Sequence, residues 1–180
     1  MARDRGDPAG ATAFYEESLA LRRDLGDRQG SARTLVALGD VARDQGDVER
    51  AWASYAEGLT LSEAVGDRWR TAFALEGLAH VALTRGHAPR AARLLRAVAD
   101  LRTRVGFTLS PAEDAAHEHL VAAARAALGD GPFEAAGAML SLDQAIAEAL
   151  GALPAPSAHE PSRPAVARAR QPGRAARAKP

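Results

Sequence analysis

LGDVARDQGDVERAWASYAEGLTL, residues 38–61, places one glycine between two segments that share a helical period. Ahead of Gly46, the apolar residues Leu35, Leu38, Val41 and Ala42 recur at three- and four-residue steps; behind it, Ala51, Tyr55 and Leu59 do the same. Gly46 suits a left-handed helix end, because it has no Cβ to clash there, and Asp47 suits the cap of the next helix, because its short carboxylate reaches free backbone N–H groups. The stretch therefore predicts a helix–turn–helix hairpin.

Outward from this hairpin the chain repeats itself. GDR stands at 26–28 and again at 66–68, with a further glycine at Gly106, while Gly6, Gly46 and Gly86 form a second series; both series have a spacing of 40. Residues 26–65 laid over 66–105 without a gap give 13 identities in 40, among them Ala32/Ala72, Leu35/Leu75, Leu38/Leu78, Val41/Val81 and Leu61/Leu101. Residues 1–25 laid over 41–65 give 11 in 25, including ARD at 2–4 on 42–44 and Tyr15 on Tyr55. The segments between glycines, each of about 18 residues, make helices about 27 Å long. Asp7, Asp27, Asp47 and Asp67 are the expected caps, and Pro8 follows Asp7 at a first helical position that needs no N–H.

A lone hairpin cannot bury its apolar faces, so successive hairpins must stack. Small residues at Gly39, Ala51, Ala79 and Ala91 allow close approach, and Leu35, Leu38, Tyr55, Leu75, Leu78 and Leu95 fill the remaining volume. The composition agrees: 47% of the chain is apolar but only 4% aromatic, and Ile146 is the one isoleucine, which favours helices built from Ala and Leu over strands. After Val105 the period lapses. Ser110-Pro111-Ala112-Glu113 reads as a capping box opening a helix to about Leu128, Gly129-Asp130-Gly131-Pro132 as a stop, 133–140 as a short helix, and Ser141 to Gln144 as a second capping box opening a last helix to about Leu150. The eight helices are expected to begin near Asp7, Asp27, Asp47, Asp67, His87, Ser110, Phe133 and Ser141. Residues 151–180, with six prolines, nine alanines and six basic residues, have no apolar period and are expected to be a disordered tail.

Leu35, Leu38-Gly39 and Ala42 followed by Ala51 and Tyr55, with the set repeated at Leu75, Leu78-Ala79, Ala82, Ala91 and Leu95, resemble the tetratricopeptide repeat family. Leucine stands where that family has its first-helix Trp, and the period is 40 where the family has 34. Hairpins of this longer kind, and the phrase at 38–61, resemble the carboxy-terminal repeat arm of large bacterial ATP-binding transcriptional regulators with a terminal DNA-binding domain. The resemblance covers roughly residues 1–150. It implies an all-α chain of tetratricopeptide-like hairpins forming an α-solenoid: repeats over 1–106 (a half repeat 1–25, full repeats 26–65 and 66–105), a helical cap over 107–150 and the tail. It further implies a non-catalytic protein-interaction or scaffold module. The alternative is part of a transcriptional regulator whose ATP-binding and DNA-binding domains are elsewhere; residues 2–7 match the end of a first helix, which suits a fragment or an upstream start.

Charge and motifs narrow the function classes. Lys plus Arg and Asp plus Glu are 23 each, but residues 1–150 carry a net −5 and the tail +5, so the expected folded part has no positive field to draw nucleic acid. The absence of cysteine excludes disulfides and every Cys-based zinc pattern. No apolar run suits a signal peptide or a membrane span, and a cytoplasmic location is expected. None of the HExxH, GxSxG, GxGxxG or P-loop strings occurs, and His117 and His119 lie about 200° apart around a helix, the wrong geometry for a shared metal. No catalytic residue, cofactor or metal is expected. Trp52 and Trp69 read as packing residues.

The expected partner is a protein or peptide. In the resembling family the first helices line a concave face, and register on Leu38 and Leu78 brings Arg33, Val36, Asp40 and Arg43 from one unit and Phe73, Glu76, His80 and Leu83 from the next to that face. The arginines suit a carboxylate, and His80 changes charge near neutral pH. Phe14, Leu21 and Leu25 on the first helix are expected to be exposed and to invite self-association.

Overall fold

The computed structural model describes residues 8–106, 108–136 and 140–151. Among these residues there are eight helices and no strand: α1 (Pro8–Asp24), α2 (Arg28–Asp44), α3 (Val48–Val65), α4 (Arg68–Thr84), α5 (Ala88–Val105), α6 (Pro111–Leu128), α7 (Asp130–Ala136) and α8 (Leu142–Leu150). None is long and apolar enough to cross a membrane.

The turns follow from the Gly-Asp pairs. Gly46 and Gly66 hold φ of 77° and 70°, a conformation in which any Cβ would be strained, and Gly26, Gly86 and Gly106 repeat it. The next residue caps the following helix. Asp27 accepts from the Gly30 N–H at 2.8 Å, Asp47 from Arg50 at 3.1 Å and Asp67 from Arg70 at 3.0 Å. His87, in the same position ahead of α5, makes no such bond. Asp7 lies outside the described residues, as do 152–180, where the tail was expected.

Each helix from α1 to α5 packs on its successor, and α2 also meets α4. The join is made by one aromatic. Tyr55 on α3 is 0% exposed, and a Cβ built on Gly39 of α2 would stand 2.6 Å from its ring, one on Gly77 of α4 only 2.5 Å. Gly39 was expected to admit a neighbour; the equal need at Gly77 was not seen in the sequence. Leu35, Leu38, Leu75, Leu78 and Leu95 are buried as their spacing requires. Trp52 packs against the main core with its Nε1 buried and without a hydrogen-bond partner, and Trp69 is half-buried against Phe73, ring centroids 5.9 Å apart.

Beyond α5, α6 packs on α5 and α4, α7 bridges α6 and α5, and α8 lies on α5 with contacts to α3 and α4. Both capping boxes form, at Ser110/Glu113 and Ser141/Gln144. The expected stop over 129–132 is corrected: α7 begins at Asp130, not Phe133, and is described as far as Ala136. Gly129, at φ 82°, turns the chain alone, and Pro132 is accommodated as the third residue of the helix, where its missing N–H has no partner to lose. Residues 137–139, including Met139, lie outside the described residues.

Candidate functional site

The inner faces of α2, α4 and α6 enclose a cavity of about 620 Å³. Helical spacing puts the lining in rows. Asp40 and Arg43 come from α2, and Phe73, Glu76, Gly77, His80 and Leu83 from α4 at three- and four-residue steps. The α6 wall is Ala112, Glu113, Ala116, His119, Leu120 and Ala123. Six of the eight residues expected on a concave face therefore share one cavity. The other two do not. Val36 is 5% exposed and belongs to the core, where its Cγ2 would stand 3.2 Å from a Cβ on Gly58, and Arg33 is exposed but outside the lining. Register placed Val36 on the concave face because the close α2–α3 contact that Gly58 permits leaves no mark in the period of α2.

At one end of the cavity, Asp40 Oδ1 accepts from the Tyr55 hydroxyl at 2.8 Å and from Arg43 Nη1 at 3.0 Å. Burial and the Asp40 charge push the Tyr55 hydroxyl well above the ordinary tyrosine range, so it stays a donor. Burial pulls the Arg43 guanidinium down, but Tyr55, Asp40 and Asp44 outweigh it and the net shift is upward. Arg43 is thus held as a fixed cation by its own chain. Nearby, half-buried His80 is held below the ordinary histidine value by burial first and Arg43 second, against the opposing pull of Asp44 and Asp40.

At the other end Phe73 carries cations on its ring. The Arg70 guanidinium stands 5.7 Å from the ring centroid and that of Arg102 5.9 Å. Arg102, with its side chain 10% exposed, donates from Nη2 to Glu76, while its Nε and Nη1 are buried without a hydrogen-bond partner. The second Glu76 oxygen lies 3.0 Å from His117 Nδ1. Glu113 at the rim accepts from the Ser110 N–H at 2.8 Å, and Ser110 holds its carboxyl below the usual range.

The apolar lining comes from Phe73, Leu83 and Leu120 beside the backbone of Gly77, whose side-chain space the Tyr55 ring fills, and the polar lining from Asp40, Arg43, Glu76, Glu113, His80 and His119. A lining of this kind has the chemistry to bury an apolar group and to orient it with a few polar groups. The third wall, with Glu113, His119 and Leu120, was missed because the repeat text ends at Val105. Gly106, the third member of the 26/66 series, was the available signal that another first helix follows. Among the described residues no group of three or more His, Asp or Glu is placed to hold a metal ion. The chain matches no family model, no curated protein and no solved structure.

Proposed function

We propose that this chain is a non-catalytic protein-interaction module of tetratricopeptide-like hairpins, and that the groove between α2, α4 and α6 binds an extended or helical peptide segment of a partner protein. The observation that carries the reading is the convergence of Asp40, Arg43, Phe73, Glu76, His80 and Leu83, picked out by repeat register, on one cavity. Its volume suits a few residues of a peptide, and its walls are helices held by their own packing, so little ordering accompanies binding. Because Asp40 and Glu76 already engage Arg43 and Arg102, the polar rim acts as a set of preoriented dipoles more than as free charges.

The test is a display selection of random peptides on the full chain, followed by titration of the selected peptides. Ala116→Arg fills the groove from an exposed position on α6 without touching the core. The expected result is loss of at least tenfold in affinity with helicity unchanged. Peptides that bind Ala116→Arg as well as the parent would place the site elsewhere.

A further inference from the structure

The three most exposed large apolar residues among those described lie on one helix: Phe14 at 60%, Leu21 at 59% and, just past its end, Leu25 at 82%. At 100° per residue they fall within about 40° of one another around α1. Val65 and Val105, at 38% and 46%, are the remaining exposed large apolar residues and stand singly at helix ends.

The repeat shows what such a face meets. With residues 1–25 laid over 41–65, Glu17 corresponds to Glu57 and Leu21 to Leu61. In α3 both positions are engaged by the preceding hairpin. Arg23 of α1 donates to Glu57, and Leu61 packs against the cluster that Leu19 of α1 forms with Leu35 and Leu38 of α2. In α1 the corresponding pair is bare. Leu21 faces solvent, and Glu17 is exposed with no ion pair among the described residues.

We propose that the outer face of α1 docks a further helical hairpin of the same 40-residue type, one whose second helix presents a leucine and, four residues on, an arginine, as Leu19 and Arg23 do toward α3. The contact continues the α1–α3 interface by one repeat. Charge favours this occupant over a second copy of the chain. Glu17 and Asp24 flank the apolar stripe on one side, and an antiparallel two-fold pairing of α1 with itself sets those acidic flanks against each other. A second copy also has its own Leu19 and Arg23 committed to its own α3. This face is separate from the groove, so the two proposals stand or fall independently.

The test extends the full chain. A copy of residues 8–41 placed directly ahead of Ala2 keeps the register, because residues 2–7 correspond to 42–47. The extended chain is expected to melt about 5 °C or more above the parent. Leu21→Glu is expected to shift the parent by no more than about 2 °C while abolishing the gain in the extended chain, and Arg23→Glu in the added copy alone to reduce the gain. Hydrogen exchange must show the added helices protected. A folded chain with the added segment unprotected, no rise in melting temperature, or a rise indifferent to Leu21→Glu would overturn the proposal. So would sedimentation of the unextended chain as a dimer that Leu21→Glu disperses, since that assigns the face to a second copy.

Discussion

Tyr55 touches the two neighbouring first helices at once, and its surroundings decide the sign of a substitution that is normally helpful. Gly→Ala inside a helix usually stabilises by about 1 kcal/mol. At Gly77 the new methyl would lie 2.5 Å from a ring that is fully buried and has nowhere to move. Gly77→Ala is therefore expected to destabilise by about 1–3 kcal/mol, measured by urea unfolding, and Gly39→Ala to do the same. A neutral or stabilising result at both positions would mean that the α2–α3–α4 contact is looser than described. His80 supplies a pH dependence. Its folded value is below the ordinary histidine pKa of about 6.5, so on acidification the unfolded chain takes the proton first. The stability this provides is fully present above about pH 6.5 and is lost as pH falls from there through the folded value. His80→Gln is expected to flatten that part of the profile of melting temperature against pH; an unchanged slope would remove His80 from the account.

At the scale of elements, the helix starts are chemical and can be edited one by one. Asp67→Ala is expected to cost about 1 kcal/mol by removing the bond to Arg70 N–H, while His87→Asp is expected to add about 0.5–1 kcal/mol by giving α5 the cap that α2, α3 and α4 possess. Thermal melts of the two variants should move in opposite directions. The same Gly-Asp chemistry made the starts of α2, α3 and α4 legible, because a left-handed glycine followed by a capping side chain is a local signal. The start of α7 was misread because Pro132 looked like a terminator, when the first turn of a helix accepts proline without loss. Position in space was less legible than helix type. Residues on the face of α4 could be read by register, but Val36 is buried through the side-chain-free surface of Gly58, a contact between elements that no single period contains. The α6 wall was hidden for a related reason: its place follows from how the chain packs after Gly106, although its residues no longer repeat those of α2 and α4.

At the scale of the whole molecule, α8 ties the carboxy-terminal helices to the array. Arg93 Nε lies 2.9 and 3.0 Å from the two Glu148 oxygens, and Arg90 donates to the Glu148 and Gly151 carbonyls, which anchors the end of α8 on α5. The hydrogen bond to Glu148 outweighs burial and raises the Arg93 value. Both side chains are partly exposed, so Glu148→Ala is expected to cost only about 1 kcal/mol, with faster hydrogen exchange confined to α8. The effect is expected to stay local because α8 packs chiefly on α5, and it leaves α2, α4 and α6 as a stable frame around the groove. The groove is the centre of the account, and it is tested most directly by a hydrogen-exchange footprint of the full chain with and without a selected peptide. Added protection is predicted along residues 40–43 of α2, 73–83 of α4 and 112–123 of α6, with none on α8. Protection concentrated on α3, α5 and α8, with those three stretches unchanged, would contradict it.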